Sequence, residues 1–356
     1  MKIHFIIDTL KGGGAERVLL LVADYLSDRK YDVSIITFME GEDYEVPDHI
    51  KRIHLHGGKI KPYKLRNLLN LRKYYSKKEH RPDIAISFLP PASFVALLVA
   101  KLYKITIVCS EHINHLRSRD FTANFARNYL YRSAQKVTIL TAFDEPYYKK
   151  RGVDIIVMPN PCTFKPLTDP NRPREKVILA IGSLDRYYHK GFDNLVEIMA
   201  PFLKKNKDWT LKIVGSGDEG RGYLEELILK NQINEQIILT GYRSDVNKLM
   251  QESDIFILPS RFEGLPMVLI EAMSQGMACI SYDCKTGPSD MIIDGHNGLL
   301  IEDQNKEAMI KGLENLVANP AIRNEIRKNA VKAVDKYSLA NIGGKWEDLL
   351  NSISPL

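Results

Sequence analysis

Arg261-Phe262-Glu263-Gly264-Leu265-Pro266-Met267-Val268-Leu269-Ile270-Glu271-Ala272 sets two glutamates apart by seven residues, between two elements of different kind. The segment before it, Asp254-Ile255-Phe256-Ile257-Leu258, reads as a buried strand, and Met267 to Gln275 reads as a helix. One carboxylate therefore sits in a loop at the carboxyl end of a strand, and the other sits in the helix that follows. Open α/β sheets place their ligands at that edge. Helix N-termini there attract anions, so two acids beside such a site are read as binding hydroxyls and not phosphate.

Outward from this stretch the chain alternates strand and helix. Strands are expected at Lys176–Ile181, Thr210–Val214, Gln236–Leu239, Asp254–Leu258 and Ala278–Tyr282, and helices at Asn194–Lys205, Tyr223–Lys230, Asp245–Gln251 and Met267–Gln275, with a short one near Pro288–Ile293. The first half runs the same way, with strands at Lys2–Asp8, Asp32–Phe38, Asp83–Phe88, Thr106–Ser110, Lys136–Leu140 and Ile155–Met158. Its helices are expected at Ala15–Ser27, Tyr63–Lys78, Ala92–Tyr103 and Phe121–Ser133. Such βαβ series imply parallel, doubly wound sheets, so the fold class is α/β with two Rossmann-like halves. Pro and polar residues from Met158 to Arg174 read as a linker. The reading places a first domain at 1–165, a second at 166–335, and a helix at 336–356 able to return to the first.

The length of 356 residues suits two domains better than one core. The longest apolar stretch, Phe94 to Ala100, is too short to span a bilayer, and the N-terminus has no signal-peptide pattern. Four cysteines without metal-ligand spacing suit a reducing compartment and small buried side chains, so no metal is expected. These features point to the cytoplasm. Charge is uneven: residues 1–165 hold 27 Lys+Arg against 17 Asp+Glu, whereas the rest hold 23 against 27. A basic first half suggests an anionic partner there, whether a membrane surface, a nucleic acid or a phosphorylated acceptor.

Several loops fall at the same ligand edge. Gly12-Gly13-Gly14 follows the first strand and opens a helix, where glycines let backbone N–H groups approach a phosphate or sugar. The spacing is not that of a dinucleotide fingerprint, and a tight structural turn is the plain alternative. Gly182-Ser183-Leu184-Asp185-Arg186-Tyr187-Tyr188-His189-Lys190-Gly191 presents Arg186 and Lys190, two cations suited to a diphosphate. Gly215-Ser216-Gly217 reads equally well as an ordinary turn. His112 lies just past the fourth strand, among polar neighbours. In the segment Tyr63–Lys78, Leu65, Leu68, Leu69 and Arg72 share one helical face, while Lys64, Arg66, Lys73, Lys77 and Lys78 supply charge. This is either a surface helix packed on the sheet or a basic segment touching anionic lipid or a lipid-linked pyrophosphate.

Ordered motifs across nearly the whole chain then carry a resemblance. They are Gly-Gly-Ala-Glu-Arg at 13–17, Ser-Glu-His at 110–112, Asn-Pro at 160–161, Lys-Gly at 190–191, Glu-Gly-Leu-Pro at 263–266 with Glu271, and Asp-Gly-His-Asn-Gly-Leu-Leu at 294–300. The chain resembles the retaining nucleotide-sugar glycosyltransferases of family 4. That resemblance implies the GT-B fold, two Rossmann-like domains facing a cleft. It implies that Glu271 holds the donor ribose, and that Glu263 with Gly264, Leu265 and Pro266 holds the donor sugar. Lys190 would bind the diphosphate, Gly13 and Gly14 would let the first domain close on the donor, and His112 would lie close to the transferred sugar. Glu263 and His112 are thus the catalytic candidates. The family often has Gly-Arg-Leu where this chain has Gly182-Ser183-Leu184, so Arg186 is the candidate to replace that arginine.

Within the family the chain is similar to enzymes that elongate lipid-linked oligosaccharides or surface polysaccharides, including N-acetylgalactosamine transferases of the bacterial N-glycan pathway. The expected reaction moves a hexose or N-acetylhexosamine from a UDP-linked donor, with retention, without a metal or other cofactor. The acceptor is lipid-linked or a glycan, met at the inner face of the cytoplasmic membrane, and no nucleic acid is involved. A nucleotide-sugar epimerase and a non-catalytic sugar-binding partner are the alternatives.

Overall fold

The computed structural model describes residues 1–41, 44–117, 120–170 and 172–354. The chain divides into two units, Met1–Pro161 with Ser338–Leu356, and Cys162–Tyr337. The first unit runs β1 (Lys2–Ile7), α1 (Gly14–Asp28), β2 (Asp32–Thr37), β3 (Lys51–His54), α2 (Tyr63–Tyr75), β4 (Ile84–Phe88), α3 (Pro90–Tyr103), β5 (Thr106–Ser110), α4 (Phe121–Phe125), β6 (Lys136–Ile139), α5 (Glu145–Lys149) and β7 (Ile155–Val157). Its seven strands are all parallel, in the order β3-β2-β1-β4-β5-β6-β7. Central strands are buried along their whole length, as β4 is from Ile84 to Phe88, because both sheet faces are covered by helices.

The second unit runs β8 (Glu175–Ile181), α6 (Tyr187–Lys190), α7 (Phe192–Lys205), β9 (Thr210–Val214), α8 (Asp218–Asn231), β10 (Ile237–Gly241), α9 (Val246–Glu252), β11 (Ser253–Leu258), α10 (Met267–Ser274), β12 (Ala278–Tyr282), α11 (Pro288–Met291), β13 (Leu299–Ile301), α12 (Lys306–Ala318) and α13 (Pro320–Ala333). Its six parallel strands are ordered β10-β9-β8-β11-β12-β13. In each sheet the order reverses once, between β1 and β4 and between β8 and β11. Ligand crevices form outside the carboxyl ends of the strands at such reversals.

The structure departs from the sequence reading where local pattern is weak. The edge strand β3 carries no apolar run, being Lys-Arg-Ile-His with only Ile53 buried, and the edge strand β13, Leu-Leu-Ile, is only three residues long. Short, charged edge strands resist sheet-to-sheet pairing, and they hide from pattern for the same reason. The expected helix Phe121–Ser133 is α4, then a π-helical turn over 126–130, then a 3₁₀ turn. The π turn brings Arg127 and Tyr131 onto one buried carboxylate, Glu111, at 2.6 and 2.5 Å. Leu167 and Arg174, within the expected linker, are held on the second unit. Leu167 N–H donates to the Ser274 carbonyl, and the Arg174 guanidinium donates to the Met250, Ser253 and Gln275 carbonyls. The chain passes between units at Pro161–Cys162 and Tyr337–Ser338, against the 165/166 and 335/336 of the sequence reading. The final helix, Leu339–Ile353, buries Ile342, Trp346, Leu350 and Ile353 within the first unit, and Tyr25 of α1 donates to its Glu347 at 3.2 Å.

The basic segment is also corrected. Helix α2 ends at Tyr75, so Lys77 and Lys78 lie beyond it. Its buried face is Asn67, Leu71 and Tyr75, while Leu65 is 47% exposed and not on the packed face. No helix among the described residues is long and apolar enough to cross a membrane.

Candidate functional site

In the second unit, the carboxyl ends of β8 and β11 carry the loops that the sequence singled out. The β8 loop ends in α6, whose last residue is Lys190, and Gly191 then opens α7. The Lys190 ammonium donates to Glu263 Oε1 at 2.8 Å, and Ser260 Oγ donates to the same oxygen at 2.7 Å. The Lys190 stem lies over Gly182. Both side chains are largely shielded, 16% and 9% exposed. A cation and an anion thus share one partly dry position at the switch point, joined by a charge-assisted hydrogen bond.

Neighbouring residues lock the two loops. Gly191 has φ +69, and a Cβ there would stand 1.9 Å from the Pro259 carbonyl oxygen, so the α6–α7 turn touches backbone just beyond β11. Arg261 grips Asp193 in bidentate fashion at 2.7 and 2.9 Å and donates to the Tyr188 carbonyl at 2.6 Å. Below Glu263, Thr286 Oγ1 donates to its carbonyl, and Gly287 (φ +97) leaves room for the Gly264 carbonyl. Leu265 and Pro266 are buried as the chain enters α10. That helix has no acidic residue in its first turn, so its positive end is uncompensated. Glu271, one turn further in, is 4% exposed and accepts from Thr163 Oγ1.

Arg186 is exposed, with no side-chain partner among the described residues, while its neighbour Asp185 accepts from Gly220 N–H at 3.1 Å and so pins the loop to α8. Asp294-Gly295-His296-Asn297-Gly298 makes a tight structural turn into β13. Asp294 accepts from Leu300 N–H at 2.9 Å, and Asn297 bridges Ile293 and Met291.

In the first unit, α1 starts at Gly14 after the glycine run. Gly13 is extended, and a Cβ there would meet the Glu16 carboxylate at 2.1 Å. Glu16 is buried, which pushes its carboxyl up. The glycine therefore makes space for a folded-back acid as well as for any ligand. His112 Nε2 is 3.0 Å from Ser110 Oγ, which in turn accepts from Thr138 at 2.8 Å, and its ring stacks on Phe88 with centroids 4.8 Å apart. Its Nδ1 is buried and makes no hydrogen bond of full geometry among the described residues, Asn160 being the polar group set against the ring. Burial lowers its pKa to about 4, with a contact to Asn160 opposing the shift, so the imidazole is neutral at pH 7. Asp8, at the carboxyl end of β1, is pushed up to about 6 by burial, opposed by Lys64.

These shifts make a stability prediction. His4 is likewise lowered to about 3 by burial, with Lys2, Lys51 and His80 adding to it. Between about pH 6.5 and 4 the unfolded chain takes up protons that these two buried histidines refuse, so stability falls as pH drops through that window. Asp8 acts in the opposite sense between its ordinary value and about 6, which reduces the slope. Thermal midpoints measured from pH 7.5 to 4.5 should decline for the native chain and decline less for His112→Asn. Equal slopes would show that His112 takes no part.

Comparison with known proteins settles the family. Residues 12–163 match the family described as Glycosyltransferase Family 4, and residues 168–333 match Glycosyl transferases group 1. The Campylobacter jejuni GalNAc-alpha-(1->4)-GalNAc-alpha-(1->3)-diNAcBac-PP-undecaprenol alpha-1,4-N-acetyl-D-galactosaminyltransferase is 30% identical over 99% of both chains. This chain is a family 4 glycosyltransferase. The Erwinia amylovora amylovoran biosynthesis glycosyltransferase AmsD is 28% identical over 98% of this chain and 99% of that one. The crystal structure of Anabaena HepE in complex with UDP superposes with a TM-score of 0.81 at 18% identity, covering 99% of this chain and 100% of that one. The two parallel-sheet units are those of the GT-B fold.

For this glycosyltransferase, sequence reading named Lys190, Glu263 and Glu271 but missed what holds them. Ser260 and Thr163 each hydrogen-bond one of the two glutamates. Ser260 stood three residues before Glu263, within reach of a turn, whereas Thr163 had been assigned to the linker. Leu89, which opens α3 with φ +69 and hydrogen-bonds the Ser110 carbonyl beside His112, left no signal in its neighbours.

Proposed function

We propose that this glycosyltransferase moves a hexosyl or N-acetylhexosaminyl unit, with retention, from a UDP-linked donor to a lipid-linked or glycan acceptor in polysaccharide or oligosaccharide assembly. The observation that carries the reading is the shielded Lys190–Glu263 pair at the carboxyl edge of the second sheet, one loop away from Glu271. When a diphosphate arrives, its oxygens compete for the Lys190 ammonium. The freed Glu263 carboxylate then accepts hydroxyls of the donor sugar, with the Gly264–Pro266 backbone beside it, and Glu271 takes the ribose. Charge that develops on the leaving diphosphate is met by Lys190 and the N-terminus of α10, and such preorganised donors are often the largest catalytic contribution. Arg186, exposed and without a side-chain partner among the described residues, supplies a second cation in place of the family arginine. Gly13 and Gly14 give the first unit a close backbone approach to the donor. Neutral His112 offers a hydrogen bond near the transferred sugar without adding charge. Acceptor hydroxyls attack on the face the leaving group quits, and the leaving phosphate takes their proton. The UDP in the HepE structure and the undecaprenol-linked acceptor named for the Campylobacter relative support these choices. The basic first unit suits the inner face of a cytoplasmic membrane.

A thermal-shift panel of UDP- and GDP-sugars tests the donor, since ligand binding to the folded state raises the midpoint by mass action. A transfer assay on lipid-linked acceptors follows. Glu271→Gln should weaken donor binding about tenfold with little change in kcat, while Glu263→Ala should cost kcat about a hundredfold. If both changes are silent, the two glutamates do not hold the donor.

A further inference from the structure

The helical run that begins with α4 turns an aromatic edge outward. Phe121 is 78% exposed, Tyr129 56% and Phe125 37%. They recur every four residues and touch in series, with ring centroids 6.2 Å apart for Phe121 and Phe125 and 5.2 Å apart for Phe125 and Tyr129. The inner side of the same run is already filled by buried Ala123, Ala126 and Arg127. The outer rings are therefore surplus to the core, and three large apolar side chains in one exposed row mark an interaction surface. The start of α2 lies beside them, because Lys64 Nζ donates to Thr122 Oγ1 at 2.5 Å and pairs with Asp120 at 3.3 Å. That end of α2 adds Tyr63 and Leu65, 42% and 47% exposed.

The charge around this row is mainly of one sign. Arg127 is buried on Glu111 and Lys64 is matched by Asp120, which leaves Lys59, Lys61, Arg66 and Arg132 as cations of these segments, with no further Asp or Glu in 59–66 or 121–132. A second copy of the chain placed face to face would bring these cations together, whereas an anionic lipid surface complements them. Aromatic rings flanked by cations suit the boundary between headgroups and acyl chains. We propose that the Phe121–Phe125–Tyr129 ladder inserts into the interfacial layer of an anionic bilayer and is the principal membrane anchor of this chain. Lys73 lies about 13 Å from Lys64 along α2 at 1.5 Å per residue, and Lys77 and Lys78 follow beyond the helix end, farther than the Debye length of about 10 Å at 0.1 M salt. They assist approach at low salt only. The proposal rests on the lipid-linked acceptor in the functional reading above and locates the surface that reaches it.

The test is sedimentation of the full chain with phosphatidylglycerol–phosphatidylcholine vesicles at 50 and 500 mM salt, without donor or acceptor. Phe121→Ser/Tyr129→Ser alters only side chains that are more than half exposed, so its thermal midpoint should match that of the native chain. It should lose about tenfold or more in vesicle affinity at both salts. Lys73→Glu/Lys77→Glu/Lys78→Glu should weaken binding at 50 mM and leave the binding that survives at 500 mM unchanged. The ladder is overturned if the double serine variant binds vesicles as the native chain does. It is also overturned if the native chain is a dimer in solution that this variant splits, because the rings then cover each other. UDP stabilisation of the same proteins is read separately: it judges the transferase reading, while vesicle binding judges the ladder.

Discussion

Lys190→Met is expected to lower sugar transfer about 100- to 1,000-fold, the loss that follows removal of one preorganised donor from a developing anion. Methionine keeps the aliphatic stem over Gly182, so the change isolates the ammonium from its packing. The same substitution leaves the Glu263 carboxylate, only 9% exposed, with Ser260 but without its cation. Removing one partner of a shielded pair uncovers a charge that burial disfavours. Here the side chains retain some access to water, so the stability cost is about 1–3 kcal/mol. Pairing Lys190→Met with Glu263→Gln separates the two effects. The double variant should recover most of the lost stability, because both charges are gone, yet recover none of the activity. Steady-state kinetics together with thermal midpoints for the three variants decide the matter. Near-native turnover in Lys190→Met would remove this lysine from the diphosphate site.

The second large effect is expected from Gly191→Ala. Its φ of +69 is strained for alanine, and the new Cβ would collide with the Pro259 carbonyl oxygen, a backbone atom with no rotamer to yield. Left-handed strain and a backbone clash together should destabilise the second unit by about 2–4 kcal/mol. The α6–α7 turn would be forced off the β11 loop, drawing Lys190 away from Glu263, so affinity for UDP should also fall. Gly222→Ala is the control. It lies within α8 with open space around it, and alanine there should be neutral or stabilising by up to about 1 kcal/mol. A Gly191→Ala chain with unchanged melting and unchanged UDP affinity would contradict this account of the turn.

Much of the fold was legible because the central strands are short, predominantly apolar runs. Segments such as Ile255–Leu258 and Ile84–Phe88 have one stable use in a chain of this length, a parallel sheet covered on both faces. The edge strand at Lys51–His54 was not legible, since an edge needs charge and little burial. The helix that became a π turn at 126–130 looked regular because its cause, the Glu111 carboxylate, lies 16 residues before Arg127. For the candidate site, loop position and family pattern name Lys190, Glu263 and Glu271, whereas their hydrogen-bond partners Ser260 and Thr163 carry no such pattern.

The two parallel-sheet units, the family, the sheet edge of the candidate site and the basic character of the first half can all be read along the chain. Each of these is encoded among neighbours, as strand and helix periodicity, as ordered short motifs, or as composition. Packing in three dimensions brings Lys190 to Glu263 across 73 residues, leaves Arg186 in solvent, and turns Leu65 outward beside three exposed aromatic rings. Such pairings depend on how separate strands and helices align, and residues adjacent in sequence carry no record of that alignment.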